Sequence, residues 1–316
     1  MENGGRARVR IPLGQRFADL WLFGSDDEYL LFDTGVKGTL ASHLLPALKA
    51  LSIEPSSLRH VVVSHLDVDH SGDVGNVRKH LPRASVVGHD SDSDAMEKWE
   101  TFVTARGREF RDGWGLDEDP SAVDWMESVF APGKIDQRLE GSTTWPFVAG
   151  RALEVWHVPG HTLGHLAVWD PDYNTLAISD AILGESVPLA DGSPSFPPTY
   201  RHVDDYLATI ERVRAQRPET LLTAHYGDYV GDDVIHFLDE SESFVATLDT
   251  AVQDCVSQGQ KTLKEIVAEV NPRVASWPVA GTDTALAFPV SGHLERLWNS
   301  GVVNRQPGPA GWRWSQ

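Results

Sequence analysis

Four side chains that can bind a metal ion lie within six positions of one another, in the stretch HLDVDH at residues 65–70. Alternate side chains of an extended strand point to one side, so His65 and Asp67 are predicted to face the same cavity. Asp69 and His70 follow in the turn, where they can serve a second ion. Imidazole and carboxylate groups are common ligands of catalytic metal ions in proteins. The stretch therefore predicts a metal centre.

Further ligands must come from other parts of the chain, because a hydrolytic metal centre needs more donors than one turn supplies. His161 in PGHTLGH, Asp180 in ISDAIL and His225 in TAHYGD each follow an apolar, strand-like run. Active-site residues are expected at strand ends in layered α/β folds. These three residues are therefore predicted to join the first group.

The order of strand and helix patterns indicates how these residues are positioned. The first eighty or so residues alternate strand patterns such as LRHVVVSH with helical ones such as TLASHLLPALKALSI. This alternation indicates an α/β fold in which helices cover the sheets. Beyond about residue 234 the patterns are mainly helical, and the last residues are predicted to form a small two-stranded wing.

Two domains are predicted, with a boundary near Gly231. Residues 1–231 carry the metal-binding candidates, and residues 232–316 are mainly helical. Residues 91–133 read as an acidic, tryptophan-containing helical insertion over one end of the sheet. Its aromatic side chains either pack on one another or form a lid over a substrate pocket, and in the second case Trp114 is a pocket candidate.

Composition narrows the classes of function. The 316 residues carry a formal net charge of −19, which disfavours general nucleic-acid binding because phosphate backbones bind clustered Lys and Arg. The single cysteine, Cys255, excludes an intramolecular disulfide and a cysteine-based zinc cage. The sequence has neither a membrane-spanning run nor the apolar core of a signal peptide. We therefore expect a cytoplasmic protein with a small-molecule substrate and no membrane partner.

Five motifs, LFDTG, SHLDVDHSG, VPGHTLGH, AISDAIL and LLTAHYG, resemble in that order the sequence signature of the metallo-β-lactamase-fold superfamily. The resemblance spans about residues 20–228. The tail, with TLKEIV and HLERLWNSGVVNR, resembles the winged-helix appendage of the branch that contains lactamase-like protein 2 and related hydrolases. The resemblance implies a four-layer αβ/βα sandwich with a dinuclear metal centre at the edge between its two sheets, followed by a mainly helical, winged-helix-like segment.

The resemblance also implies how two divalent ions, most simply zinc, would be shared among the candidate ligands. Metal 1 would be bound by His65, Asp67 and His161, metal 2 by Asp69, His70 and His225, and Asp180 would bridge the two ions. The aspartate of LFDTG, Asp33, and the second histidine of VPGHTLGH, His165, would support the ligands without touching metal.

Asp67 departs from the family pattern His-x-His-x-Asp-His, in which a histidine occupies this position. A carboxylate favours harder ions such as iron and manganese, whereas imidazole suits zinc. Two divalent ions with Asp69, Asp180 and a bridging hydroxide carry a charge of about +1, and Asp67 brings this to about zero. A neutral cluster accommodates a higher oxidation state of iron. Whether the short Asp67 side chain reaches the metal directly or through water is open.

The resemblance implies a metal-dependent hydrolase that uses a metal-bridging hydroxide on a small ester, thioester or lactone, with Asp69 orienting the nucleophile. Tyr226 and His89 are further pocket candidates. Three alternatives stay open: a di-iron redox enzyme acting on dioxygen, peroxide or an oxidisable substrate, for which Asp67 is the only support; an endoribonuclease, suggested by the lactamase-like protein 2 resemblance; and a metal-free binding relative. The helical tail is expected to serve packing or dimerisation, so a homodimer is also open.

Overall fold

The computed structural model describes residues 5–25, 28–147 and 151–316 of the chain. The polar turn predicted between the first two apolar strands includes residues 26 and 27, which lie outside these ranges. Within the described ranges the chain forms two six-stranded sheets with helices on their outer faces, followed by a mainly helical C-terminal segment.

Six strands form the first sheet, side by side in chain order. They are β1 (Arg6–Leu13), β2 (Arg16–Ser25), β3 (Glu28–Phe32), β4 (Leu58–Val62), β5 (Ser85–His89) and β6 (Gln137–Leu139). Strands β1 to β3 pair antiparallel, and β3 to β6 pair parallel. Parallel neighbours end at the same edge of a sheet, so the loops that follow β3, β4 and β5 emerge together.

The second sheet and a small separate ribbon contain the next eight strands. They are β7 (Thr143–Phe147), β8 (Arg151–His157), β9 (Leu166–Asp170), β10 (Thr175–Ser179), β11 (Val187–Pro188), β12 (Pro194–Phe196), β13 (Thr220–Thr223) and β14 (Asp228–Val230). The order in the sheet is β14-β13-β10-β9-β8-β7, and β11 pairs with β12 in the ribbon. Because β10 and β13 are parallel and β8 and β10 are each antiparallel to β9, the strands β8, β10 and β13 run in one direction.

The helices cover the sheets and form most of the C-terminal segment. They are α1 (Leu45–Ala50), α2 (Val68–Ser71), α3 (Val77–His80), α4 (Asp90–Glu97), α5 (Trp99–Phe102), α6 (Pro120–Ser128), α7 (Val203–Gln216), α8 (Asp232–Ser257), α9 (Leu263–Val274) and α10 (Asp283–Asn299). Turns of π-helix occur at Leu40–Leu44 and Val103–Gly107, and 3-10 turns at Pro55–Ser57, Val74–Asn76 and Pro171–Tyr173. Within the described ranges, no helix is both long and apolar enough to cross a membrane.

The apolar side chains divide into three cores, which define four layers. Successive residues of a strand point to opposite faces, and β2 shows this clearly. Trp21 and Phe23 pack between the two sheets, whereas Leu20 and Leu22 pack against the helices outside the first sheet. A third core lies outside the second sheet and includes side chains of α7 to α10. The arrangement is the predicted four-layer αβ/βα sandwich.

The C-terminal segment combines three helices with a small sheet. Strands β15 (Lys261–Thr262), β16 (Asn304–Gly308) and β17 (Gly311–Ser315) form it in the order β15-β17-β16. The predicted two-stranded wing is the hairpin of β16 and β17, and β15 adds a third strand because Lys261 and Thr262 pair with Trp314 and Arg313. A capping box of Thr262 and Glu265 then starts α9.

The insertion at residues 91–133 packs against this C-terminal segment. Trp114 stacks on Trp314 with ring centroids 5.5 Å apart, and the carbonyl of Gly113 accepts a hydrogen bond from the amide of Trp312 at 2.8 Å. The backbones approach so closely that a β-carbon on Gly115 would lie 1.7 Å from a backbone oxygen, a contact that requires glycine. The insertion is therefore fixed in place by residues at the far end of the chain.

An ion-pair bridge adds to this attachment. The buried guanidinium of Arg201 donates from Nε to Glu109 of the insertion and from Nη1 to Glu295 of α10, each at 2.6 Å. Phe110 of the insertion meets Phe288 of α10 edge to face, with centroids 4.8 Å apart. Both contacts fix the insertion relative to α10.

Replacing Trp314, which is fully buried, with alanine is expected to lower the free energy of unfolding by about 3–5 kcal/mol, because a large cavity opens beside Trp114. Chemical denaturation followed by circular dichroism measures the change. Trp298→Ala is the matched control, since this side chain is 40% exposed and contacts Arg305, and a loss of about 1 kcal/mol or less is expected. Equal losses in the two variants would contradict the assigned packing.

Candidate metal centre

The seven predicted ligands lie in loops and in a short helix at one edge of the sandwich. His65 and Asp67 follow β4, and Asp69 and His70 belong to α2, the turn of helix that comes next. The remaining three, His161, Asp180 and His225, follow β8, β10 and β13 of the second sheet. Because these strands run in one direction, their ends lie together at one edge of the second sheet. The loop after β4 lies at the same edge, since His65 approaches His161 and Asp180.

Hydrogen bonds join the two sheets at this edge. The carbonyl of Ser64 accepts from the amide of Leu166 at 2.7 Å, and the Ser64 hydroxyl donates to the Ser179 hydroxyl at 3.0 Å. Asp33 and Ser179 both have positive φ, 69° and 49°, which is costly for residues other than glycine. Such strain is typical of functional sites, where surrounding contacts hold the backbone in place.

Asp33 orients the ring of His70. Its Oδ1 accepts from the amide of Ser64 at 2.7 Å, and its Oδ2 lies 2.8 Å from the Ser179 hydroxyl and 3.0 Å from Nδ1 of His70. Burial raises the pKa of Asp33, but the charge and the hydrogen bond of His70 outweigh it, so the pKa is lowered. An ionised Asp33 keeps the proton on Nδ1 of His70 and turns Nε2 toward the cluster.

One group of donors contains the ligands predicted for metal 2, and we call it group 2. Its four members are Asp69, His70, His225 and Asp180. From Nε2 of His70, the nearest oxygens of Asp69 and Asp180 lie at 3.7 and 3.6 Å. From Nε2 of His225, they lie at 3.5 and 3.3 Å. Nδ1 of His225 donates to the carbonyl of Phe17 at 2.7 Å, which leaves Nε2 to face the group.

These distances fit a metal ion. Two ligands bound about 2.1 Å from one tetrahedral zinc ion lie roughly 3.4 Å apart. In addition, Nε2 of His70 and Oδ1 of Asp180 are buried and have no hydrogen-bond partner in the part of the chain that the structure describes, which is costly unless something else satisfies them. Group 2 therefore has the donor types, the spacing and the unsatisfied atoms that a divalent ion requires.

A second group, which we call group 1, contains the histidines predicted for metal 1. Ligand atoms of His65, His161 and Asp180 all lie within 4.8 Å of one another, and the rings of His65 and His161 have centroids 4.6 Å apart. Ser64 Oγ lies 2.9 Å from Nδ1 of His65, whose buried Nε2 has no hydrogen-bond partner.

Asp67 lies beside group 1, but both of its oxygens are bonded to an arginine. Nε of Arg106 donates to Oδ1 of Asp67 at 2.7 Å, and Nη2 donates to Oδ2 at 2.8 Å, which is a bidentate pair. Nη2 of Arg106 also lies 3.1 Å from Nε2 of His161. The same His161 nitrogen lies 3.1 Å from Oδ2 of Asp67. Nη2 of Arg106 therefore contacts both Asp67 and His161, which also contact each other.

The ion pair is largely buried, and each partner favours the charged form of the other. The Arg106 side chain is 8% exposed. Burial disfavours the charge of each partner, but mutual attraction and hydrogen bonding lower the pKa of Asp67 well below its usual range and raise that of Arg106. The guanidinium carbon also lies 3.9 Å from the ring centroid of Phe288 of α10, a cation–π contact.

His165 lies against the ligands without a hydrogen bond to them. Its ring stacks on that of His65 with centroids 4.6 Å apart, and burial lowers its pKa well below the usual range. Asp92 of α4 holds the loop that precedes His165. It accepts hydrogen bonds from Thr162 Oγ1 at 2.6 Å and from the amide of Gly164 at 2.9 Å. The supporting role predicted for His165 stays a prediction.

A cavity of about 340 Å³ opens beside the candidate ligands. Asp67, Asp69, Asp180 and His225 form one wall. The other walls come from the insertion, from the region around β2, β11 and β12, and from the start of α10. They include Arg16, Phe102, Arg106, Trp125, Met126, Val187, Phe196, Ala285 and Phe288.

The three pocket candidates from the sequence lie elsewhere, and the described lining of this cavity includes none of them. Trp114 is held against Trp314, and Tyr226 packs edge to face on Phe237. His89 caps α4 by accepting from the amide of Ser91, and its ring stacks on His157. The insertion does line the cavity, through Trp125 rather than Trp114. Trp125 is 48% exposed, because α6 turns it toward the opening.

Arg106 is not among the site residues predicted from the sequence. The sequence held one indication of such a residue, because a third carboxylate added to a ligand motif needs a compensating cation. The insertion offers several, including Arg106, Arg108 and Arg111, and their spacing does not distinguish them. Only the π-helical turn at Val103–Gly107 directs the first of these into the site.

Asp33→Asn is expected to weaken zinc binding about 10–100-fold, because an amide cannot accept both the Ser64 amide and the His70 Nδ1 proton as a carboxylate does. Competition with a chromophoric chelator measures the affinity. Asp112→Asn is the control, since this exposed carboxylate pairs only with Arg111 among the described side chains. Unchanged affinity in a folded Asp33 variant would show that this hydrogen bond does not orient His70.

Comparison with known proteins agrees with this geometry. Residues 13–225 match the family model of the metallo-beta-lactamase superfamily. Acyl-coenzyme A thioesterase MBLAC2 of Homo sapiens is 24% identical over 208 residues, which cover 62% of this chain and 67% of the human protein. Hydroxyacylglutathione hydrolase of Aeromonas salmonicida is 27% identical over 150 residues, 47% of this chain and 41% of that protein.

A solved structure resembles nearly the whole chain. The crystal structure of a metallo-beta-lactamase family protein from Thermus thermophilus superposes with a TM-score of 0.76, covering 99% of this chain and 98% of that one at 23% identity. At that identity the likeness establishes the fold alone. The matched family and its hydrolase relatives confirm the prediction of a metal-dependent hydrolase. The chain belongs to the metallo-beta-lactamase superfamily.

Proposed function

We propose that the chain hydrolyses thioesters of small or medium acyl groups at the candidate metal centre. The observation that carries this proposal is the juxtaposition of two features: the donors of group 2, and a largely apolar cavity whose wall they form. When the reacting carbonyl lies at the wall formed by these donors, its acyl chain must lie along the aromatic and aliphatic side chains of the facing walls. Esters and lactones present the same carbonyl and are the next candidates.

The residues of group 2 would have separate roles in hydrolysis. A divalent ion held by Asp69, His70, His225 and Asp180 would supply the Lewis acid that activates water and polarises the scissile carbonyl. Asp69 lines the cavity with its side chain 25% exposed, so it is placed to orient the attacking water and accept its proton. The same carboxyl group then delivers the proton to the departing sulfur, which gives a carboxylic acid and a thiol.

The cavity favours an apolar acyl group over a strongly polar one. Phe102, Trp125 and Met126 form the face contributed by the insertion, and Ala285 and Phe288 the face contributed by α10. Arg16 lies at the lining beside Phe196, with its guanidinium carbon 5.0 Å from the ring centroid, where it can bind an anionic group of the leaving thiol. Relatives named for coenzyme A and glutathione substrates support a thioester in particular.

The redox alternative loses the observation that suggested it. Asp67 supports a di-iron centre only as a hard carboxylate ligand, and both of its oxygens bond to Arg106. The endoribonuclease alternative would need a basic stripe on a chain whose net charge is −19. Neither alternative is favoured by a specific contact at the site.

Acyl-coenzyme A and acylglutathione substrates are expected to be hydrolysed with kcat/KM values above those of oxygen esters with the same acyl group. Thiol release measured with a thiol-reactive dye, in zinc-loaded protein, gives the rates. Asp69→Asn should lower kcat about 100–10,000-fold, because the proton acceptor and one carboxylate donor of the metal site are lost together. Asp254→Asn, an exposed partner of Arg273, is the control and should leave the rate unchanged. Faster turnover of oxygen esters or lactones would redirect the assignment to those substrates.

Trp125→Ala is expected to raise KM about five- to tenfold for a thioester with a long acyl chain, with kcat within about twofold, because the apolar contact is made equally in the ground and transition states. The effect should shrink for an acetyl thioester, which is too short to reach Trp125. Trp298→Ala removes an equally large exposed side chain that does not belong to the described cavity lining. A similar KM change in both variants would place the acyl chain elsewhere.

A further inference from the structure

We infer that Arg106 takes the place of the second metal ion, so that the chain binds one divalent ion, at group 2, beside a permanent guanidinium cation. The inference rests on the metal site of the proposed function but goes beyond it. It concerns the number of ions, and it departs from the dinuclear centre that the family resemblance implies.

The first observation is steric. Nη2 of Arg106 lies 3.1 Å from Nε2 of His161 and 2.8 Å from Oδ2 of Asp67. A zinc ion bound to that histidine nitrogen would lie about 2.1 Å from it, in the space that the guanidinium fills. Two of the three ligands expected for metal 1, Asp67 and His161, are therefore already engaged by Arg106.

The second observation concerns charge. The carboxylates of Asp67, Asp69 and Asp180 all line the cavity and together carry three negative charges, and the charges of Glu118 and Arg16 at the same lining cancel each other. One divalent ion at group 2 and the guanidinium of Arg106 balance the three carboxylates. A second divalent ion would leave an excess of two positive charges in a largely buried site, before any bound anion is counted.

The third observation is that Arg106 is held in place on several sides. Asp67 binds it through two hydrogen bonds, and Phe288 covers its flat face at 3.9 Å. The π-helical turn at Val103–Gly107 sets its direction. Contacts of Arg201 with Glu109 and Glu295 tie the insertion to α10. Displacing Arg106 would therefore break a buried ion pair and a cation–π contact together.

Within residues 5–25, 28–147 and 151–316, group 2 makes no comparable contact with an arginine or lysine. Its donors face one another at 3.3–3.7 Å, and no described residue is a hydrogen-bond partner of Nε2 of His70 or Oδ1 of Asp180. The two halves of the site thus differ: Nε2 of His65 is unsatisfied in group 1 as well, but there Arg106 already contacts Asp67 and His161, whereas no arginine or lysine among the described residues is found on the donors of group 2.

The test is the zinc content of the full chain, stripped with a chelator, equilibrated with zinc at a series of buffered free concentrations and measured by elemental analysis. The native chain is expected to bind one zinc ion. Arg106→Met is expected to bind two zinc ions, because loss of the guanidinium charge lowers the dissociation constant of the second site at least about a hundredfold. Arg111→Met removes an exposed arginine of the same insertion and should still bind one.

Arg106→Met leaves Asp67 buried without its partner and can destabilise the chain, so its folding is checked by circular dichroism. The double variant Asp67→Asn/Arg106→Met removes both charges and keeps His65, His161 and Asp180 as donors, and it should also bind two ions. Two ions in the native chain, or one ion in both folded variants, would overturn the inference. No ion in the native chain would instead reject the metal site itself, and with it the proposed function.

Discussion

Three carboxylates, from Asp67, Asp69 and Asp180, share one wall of a single cavity. Like charges in a poorly hydrated site repel strongly, so the arrangement is stable only if cations accompany it. Arg106 supplies one such cation by a bidentate contact with Asp67. The donors of group 2 are spaced to accept another from solution. Much of the remaining architecture serves to gather these acids at one edge and to bring a positive charge to them.

Bringing Arg106 to the site involves parts of the chain that the ligand motifs do not include. The π-helical turn that carries it belongs to the insertion, and the insertion is fixed to the C-terminal segment by the stacking of Trp114 on Trp314 and by the Arg201 bridge. Phe288 of α10 then packs on the guanidinium itself. The helical segment at the end of the chain thereby contributes directly to the electrostatics of the site, besides forming a wall of the cavity.

The cavity separates two tasks. Its acidic wall lies on loops that follow buried strands, where hydrogen bonds from Asp33, Ser64 and the Phe17 carbonyl fix the donors. Its apolar walls lie on the insertion, on α10 and on the β11–β12 ribbon, all outside the two six-stranded sheets. The candidate ligands are thus held by the rigid core, and the apolar surfaces that we propose to bind an acyl chain come from elements added to it, a division that suits one chemistry to different substrates.

Local patterns in the sequence predict an α/β fold with candidate ligands at strand ends, and the family resemblance adds the four-layer sandwich and the edge between its sheets. Strand periodicity places His65 and Asp67 on one side, and apolar strands ending in His161, Asp180 and His225 end at a shared edge because parallel strands must. The partner of Asp67 was not predictable in this way. It lies 39 positions along the chain on a turn whose direction depends on contacts with residues near 288 and 314. Trp114 and Trp125 likewise look equivalent in sequence, and only packing against the C-terminal segment buries the first and leaves the second at the cavity. Residue types and strand periodicity, which are local, determined the donors; long-range packing, which no local pattern encodes, decided which cation and which aromatic side chains accompany them.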